Sequence, residues 1–146
     1  MEFFTKTKAK DVMTRDVICV QPTTSVLQLS QLFIENNISG APVIDDTQKI
    51  VGFVSQTDIV EFDLLLQSDN SLESRMEETG GFVQDIMRPV VESVVHEMDS
   101  LMAIIDRMCT ERTHRLIVFD NHKKVAGIIT TMDVMCYLQR IYKSGE

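Results

Sequence analysis

The sequence lacks the features of a membrane or secreted protein. Its purely apolar runs are only a few residues long, far below the roughly 20 residues that a transmembrane helix requires. Lys6, Lys8 and Lys10 lie near the N-terminus with no apolar stretch after them, so we expect no secretory signal. The 3 cysteines form no Cys-x-x-Cys pair, and their odd number favours reduced thiols. We therefore predict a cytoplasmic protein without membrane contact.

Positive charge is scarce in this chain. Its 14 Lys and Arg face 22 Asp and Glu, which gives a net charge of −8. Nucleic acid is therefore not expected as a partner, because phosphate backbones are recognised by basic surfaces. The scarcity is also uneven: residues 1–74 hold 5 basic against 11 acidic residues, and residues 75–146 hold 9 against 11. An anionic ligand is expected to meet positive charge from the second half.

Common catalytic and metal-binding motifs are absent as well. The chain contains no Gly-x-x-x-x-Gly-Lys-Ser/Thr, no Gly-x-Ser-x-Gly and no His-Glu-x-x-His. His96 and His122 have no Cys or His at metal-ligand spacing. We predict no catalytic residues, no metal site and no required cofactor.

What the sequence does contain is an internal repeat, the feature to be sought before any other. Residues 49–58 match residues 124–133 at a constant shift of 75, and residues 11–13 match residues 85–87 at a shift of 74. Alternating apolar and helical patterns predict the same βαββα order in each copy. The fold class is therefore α/β (α+β), with two repeats packed as a pseudo-two-fold pair: repeat one at 1–66, a linker at 67–81 and repeat two at 82–146.

Each element of the repeat has a predicted position. Thr24 and Asp99 are expected to be the N-caps of the first helices. The closing helices have a second apolar stripe, which predicts a homodimer whose contact includes Phe62 and Tyr137. The predicted strands lie at 17–20, 41–44 and 50–54 in the first copy and at 91–95, 116–119 and 125–129 in the second; the closing helices lie at 58–66 and 133–141.

Three motifs that occur twice, in register, name a family. They are residues 10–14 and 84–89, residues 39–43 and 114–118, and Gly-x-x-Ser/Thr-x-x-Asp at 52–58 and 127–133. From about Lys10 to Tyr142 the chain resembles a tandem pair of CBS (cystathionine-β-synthase-type) domains. The resemblance implies a regulatory sensor rather than an enzyme. It also implies two clefts between the repeats for AMP, ADP, ATP or S-adenosylmethionine, with Mg²⁺ as a potential companion of ATP. The regulated partner is not identified.

Two other functions stay open beside this one. The chain would be a structural dimerisation module if the clefts were empty. It would be a small nucleotide-hydrolysing enzyme if bound ATP were turned over.

The Ser55–Asp58 and Thr130–Asp133 pairs have two interpretations. A hydroxyl and a carboxylate three residues apart at a helix start form a capping box. In the family the Asp instead binds ribose hydroxyls, and the helix N-terminus beside it favours an anion. The double occurrence favours ligand contact. A glycine three residues earlier in each copy leaves room for a ligand or a backbone segment.

His114 and Arg115, with Arg112 before them, also have two interpretations. They form either a solvated basic cluster at a helix end or a phosphate site suited to the planar guanidinium. The first copy has Ser39-Gly40 in their place, so the two clefts are not equivalent. Which Asp faces these residues is left open. The resemblance assigns ligand contact to Thr14, Val17, Gly40, Ala41, Ser55, Thr57, Asp58, Arg112, His114, Arg115, Thr130, Met132 and Asp133.

Overall fold

The computed structural model describes residues 2–68, 81–89 and 94–145. The predicted linker at 67–81 therefore lies mostly outside the described residues, as does the first part of the strand predicted at 91–95. The described elements are α1 (Glu2–Lys6), α2 (Ala9–Val12), α3 (Val26–Asn36), β1 (Gly40–Ile44), β2 (Ile50–Ser55), α4 (Gln56–Ser68), α5 (Val83–Ile86), β3 (Val94–His96), α6 (Leu101–Glu111), β4 (Arg115–Phe119), β5 (Val125–Thr130) and α7 (Thr131–Ser144).

The chain divides into two compact units. Unit 1 combines Met1–Val17 with Val91–Glu146, and unit 2 comprises Ile18–Val90. The predicted α+β class with two repeats is confirmed, since each unit contains helices and an antiparallel hairpin. Among the described residues, no helix is both long and apolar enough to span a bilayer.

Each unit has its own hydrophobic core beneath a hairpin. In unit 2, β1 and β2 pair antiparallel, and α3 contributes Leu29 and Phe33 to the core. In unit 1, β4 pairs parallel with β3 and antiparallel with β5. The α6 residues Leu101, Ile104 and Met108, which are spaced to share one face of a helix, are buried there.

The strand predicted at 17–20 is absent. Only Val20 bridges β1: its N–H donates to the Pro42 carbonyl (3.0 Å), and its own carbonyl accepts from the Ile44 N–H (2.9 Å). Continuing this parallel ladder toward Ile18 would need an N–H from Pro42, which proline lacks. The second copy has Ile117 at the matching position, and there the strand β3 forms.

The predicted N-caps are also wrong, because each helix begins one residue later than expected. Ser25 caps α3 by accepting from the Gln28 N–H (3.0 Å), and Ser100 caps α6 by accepting from the Ala103 N–H. Thr24 and Asp99 instead accept from backbone N–H groups in the preceding turns.

The segment that leads into each repeat packs in the unit of the other repeat. In unit 1, Thr14 and Ile128 exchange two backbone hydrogen bonds of 2.8 and 2.9 Å; in unit 2, Arg88 and Phe53 exchange two of 2.8 Å. Each leading segment therefore extends the outer edge of its hairpin. The compact units consequently do not coincide with the repeats at 1–66 and 82–146.

Candidate functional site

Asp133 lies in the first turn of α7 and takes part in a capping box. Its N–H donates to Thr130 Oγ1 (3.1 Å), and its Oδ2 accepts from the Thr130 N–H (2.8 Å). The capping interpretation of this pair is thus correct for one oxygen of the carboxylate. It leaves the other oxygen, Oδ1, for a second role.

The second oxygen of Asp133 faces a neutral donor. Thr14 Oγ1 donates to Asp133 Oδ1 at 3.2 Å, and Thr14 is exposed. In the part of the chain that the structure describes, Asp133 takes part in no ion pair. The Asp133 site therefore presents a negatively charged oxygen beside a hydroxyl at a helix N-terminus.

Asp58 caps α4 in the corresponding way. Its Oδ2 accepts from the Ser55 N–H (2.8 Å) and the Ser55 hydroxyl (3.0 Å). Its Oδ1, however, accepts from Arg88 Nε at only 2.7 Å. The Asp58 side chain is just 4% exposed, whereas that of Arg88 is 63% exposed. The Asp58 site thus has its second oxygen bound to a cation.

Arg88 is held by two carboxylates. Besides Asp58, its Nη2 donates to Glu61 Oε2 at 3.2 Å. The hydrogen bond that Arg88 donates to Asp58, together with the charges of both acids, raises the pKa of the Arg88 guanidinium above its usual value. Arg88 is therefore charged at neutral pH.

Arg88 and Glu61 are the residues that sequence reasoning missed at these sites. The signal was available, because residues 11–13 align with residues 85–87 and the next aligned pair is Thr14 with Arg88. At one position, a hydroxyl in one unit therefore corresponds to a guanidinium in the other.

The basic residues of the second repeat lie beside the Asp133 site. Arg115 opens β4 and pairs directly with Thr130 at the end of β5, so their Cβ atoms are about 5 Å apart. The Thr131 N–H donates to the His114 carbonyl at 2.9 Å. His114 and Arg115 thus share unit 1 with Asp133. Arg112 is the left-handed C-cap of α6 and is exposed.

The same register in unit 2 places uncharged residues at the corresponding positions. Gly40 opens β1 and pairs with Ser55 at the end of β2. Unit 2 also carries all of the net charge: its range holds 3 basic against 11 acidic residues, whereas the ranges of unit 1 hold 11 of each. An anion is therefore favoured in unit 1, in accord with the expectation from the sequence.

The remaining predicted ligand-contact residues differ in their exposure to solvent. Met132 and Thr57, which correspond to each other in the repeats, are both exposed in the first turns of α7 and α4. Val17 is half-buried. Ala41 is fully buried in the core of unit 2. Among the described residues, no three His, Cys, Asp or Glu side chains cluster to hold a metal ion.

Comparison with known proteins identifies the family. The CBS domain family matches residues 9–64 and 83–140, and the chain therefore belongs to the CBS domain family. The resemblance found from the three repeated motifs is confirmed.

Two curated relatives are similar to the chain. The chloroplastic CBS domain-containing protein CBSX1 of Arabidopsis thaliana is 32% identical over 163 residues, which cover 99% of this chain and 66% of CBSX1. The 5'-AMP-activated protein kinase subunit gamma of Dictyostelium discoideum is 32% identical over 132 residues, which cover 88% of this chain and 23% of that subunit. The chain thus spans less than two thirds of the length of either relative.

A solved structure is similar over almost its whole length. It is CBSX2 in complex with AMP, which is 31% identical with a TM-score of 0.80 and covers 93% of this chain and 98% of CBSX2. Another structure of CBSX2, from Arabidopsis thaliana, gives a TM-score of 0.76 at 31% identity and covers 94% of this chain and 97% of that one.

Proposed function

We propose that this protein is a regulatory module that binds an adenosine-containing ligand at the Asp133 site. The observation that carries the proposal is the second oxygen of Asp133, which lies beside the exposed Thr14 hydroxyl at the start of α7. The AMP complex of CBSX2 supports adenosine as the ligand class.

The chemistry of the Asp133 site suits a nucleotide. A carboxylate oxygen accepts hydrogen bonds from a ribose diol, and these charge-assisted bonds are stronger than neutral ones. The N-terminus of α7 and the guanidinium of Arg115, across from Thr130, favour a phosphate. We therefore assign the ribose to Asp133 and Thr14, and the phosphate to His114 and Arg115.

The test of this function is a thermal-shift panel of AMP, ADP, ATP, S-adenosylmethionine and NAD. At a concentration about 100 times its Kd, a ligand stabilises the folded state by roughly 2.7 kcal/mol. At roughly 2–4 °C per kcal/mol for a chain of this size, we expect the melting midpoint to rise by about 5–10 °C with at least one adenosine ligand. Inorganic phosphate at the same concentrations is the control.

Two results, one from this panel and one from a phosphate-release assay, would favour the alternative functions. If every adenosine compound leaves the midpoint unmoved, the dimerisation module replaces the sensor. We propose binding without turnover, so ATP incubated with the protein should release no more phosphate than ATP in buffer. Steady phosphate release would favour a nucleotide hydrolase.

We also propose that the chain forms a homodimer through α4 and α7. On α4, Leu64 is 60% exposed, and on α7, Met135 is 63% exposed. Exposed apolar side chains on both closing helices support a contact with a second copy. Phe62 and Tyr137 are half-buried within their own units, where Phe62 lies against Gly81 and Tyr137 stacks on Phe3. The dimer contact is therefore proposed to depend mainly on Leu64 and Met135.

Light scattering should give twice the mass of one chain at micromolar concentration. Leu64→Glu or Met135→Glu should shift the protein toward the monomer, because burying an unpaired carboxylate in an apolar contact is costly. Ile34→Glu is the matched control, since Ile34 is 81% exposed on α3, outside the closing helices. A wild-type monomer, or equal dissociation by all three variants, would contradict this interface.

From composition and resemblance we also propose a cytoplasmic location, no nucleic-acid partner, and binding of Mg²⁺ together with ATP.

A further inference from the structure

Both oxygens of the Asp58 carboxylate already accept hydrogen bonds within their own unit. One oxygen accepts two hydrogen bonds from Ser55, and the other accepts a charge-assisted bond from Arg88. Among the described residues, the corresponding oxygen of Asp133 accepts from the neutral hydroxyl of Thr14. The two carboxylates therefore differ in what a ligand would have to displace.

We propose that Arg88 is a built-in occupant of the Asp58 site that excludes a ribose diol, so that the chain has a single working adenosine site, at Asp133. This inference rests on the proposed function and deepens it. It makes the residue at this repeated position, Thr14 in unit 1 and Arg88 in unit 2, the determinant of whether a site accepts a ligand.

Exclusion follows from the burial of Asp58. A carboxylate that is only 4% exposed is costly to leave without a countercharge, because little water replaces the lost partner. A ribose offers two neutral hydroxyl donors and cannot balance the charge. A ligand at Asp133 displaces only a neutral hydroxyl or binds beside it, and the carboxylate there is more accessible.

The surroundings of Arg88 make it a poor partner for a ligand phosphate. Glu61 holds its second nitrogen, so the guanidinium lies between two carboxylates and the three side chains sum to one negative charge. Unit 2 as a whole is strongly acidic in sequence, and Ser39-Gly40 replaces His114-Arg115. A phosphate that drew Arg88 away from Asp58 would approach both of these acids.

The first test exchanges Arg88 for the residue at the corresponding position. Calorimetric titration of adenosine, which needs no phosphate site, should show one binding event per chain in the wild type and an additional, second event in Arg88→Thr. The affinity of the first event should stay within about twofold, as expected for independent sites. Lys49→Thr is the matched control: it removes a positive charge from the turn between β1 and β2 in the same unit and should add no binding event.

The reciprocal test is Thr14→Arg, which should place a guanidinium at Asp133 and weaken AMP binding by at least about tenfold. It keeps the inference testable if Arg88→Thr does not fold. The inference is overturned if the wild type already binds two adenosine molecules, if Arg88→Thr binds no more adenosine than the wild type, or if Thr14→Arg binds AMP normally. If neither the wild type nor Arg88→Thr binds any adenosine ligand, the proposed function fails as well.

Discussion

Asp133→Asn should weaken AMP binding by roughly 1.5–3 kcal/mol, a rise in Kd of about 10- to 150-fold. The free energy of unfolding should fall by about 1 kcal/mol or less. The reason is that the two oxygens of Asp133 have separate roles. The Asn carbonyl oxygen can still accept from the Thr130 N–H, as Oδ2 does now. The other position becomes an uncharged NH₂ group where a ribose hydroxyl needs an acceptor.

Asp58→Asn is the internal control for this change. It makes the same replacement in the matching capping box, where Arg88 already occupies the second oxygen. AMP affinity should therefore stay unchanged. Stability should fall more than in Asp133→Asn, because the ion pair between the buried Asp58 carboxylate and the exposed Arg88 is lost. AMP titration and urea unfolding of the two variants give both quantities.

Arg115→Ala tests contact with the ligand phosphate separately from contact with the ribose. It should weaken AMP but leave adenosine nearly unaffected, whereas Asp133→Asn should weaken both ligands about equally. Equal loss of AMP and adenosine in Arg115→Ala would remove Arg115 from the phosphate site. Normal AMP binding in Asp133→Asn, with weak binding in Asp58→Asn, would move the ribose to the other unit.

The repeat made most of the secondary structure predictable. Strands expected at 41–44 and 50–54 are found as Gly40–Ile44 and Ile50–Ser55, and both closing helices lie where the apolar spacing placed them. The strand expected at 17–20 failed because of a residue on its partner, Pro42, which a single-segment pattern does not consider. Local sequence patterns therefore predict where the helices and strands lie but not which strands pair by hydrogen bonds.

The residue types of the candidate site were predictable from the sequence, but the hydrogen-bond partners of each carboxylate oxygen were not. The two interpretations of Ser/Thr-x-x-Asp were treated as competitors, yet the structure uses one carboxylate oxygen for the cap and directs the other to Thr14 or Arg88. Both of these partners come from leading segments packed in the unit of the other repeat. No side-chain pattern marks that exchange, because Thr14 and Ile128 are joined by backbone hydrogen bonds.

Gly127 and its counterpart Gly52 are the sequence signal of this exchange, because each lies against a leading segment. Gly127→Ala should destabilise unit 1 by about 1–3 kcal/mol. A Cβ at this position would lie 2.6 Å from the Thr14 carbonyl oxygen and 2.7 Å from Met13 Sδ. The Met13 side chain can move aside. The carbonyl cannot, because it accepts a 2.9 Å hydrogen bond from the Ile128 N–H. The leading segment must therefore shift away from β5.

Displacement of the leading segment should also disturb the Asp133 site, because Thr14, in the same segment, donates a hydrogen bond to Asp133. Urea unfolding should thus show the loss of stability, and AMP titration of the folded variant should show weaker binding. Gly145→Ala is the matched control: this glycine has a positive φ of +76°, but its Cβ would meet no atom within 4 Å. Gly52→Ala repeats the test in unit 2, where the Cβ would lie 2.8 Å from the Arg88 carbonyl oxygen. It should destabilise the protein without weakening AMP binding. If Gly127→Ala costs no more stability than Gly145→Ala, the leading segment is not held against β5 as the structure shows.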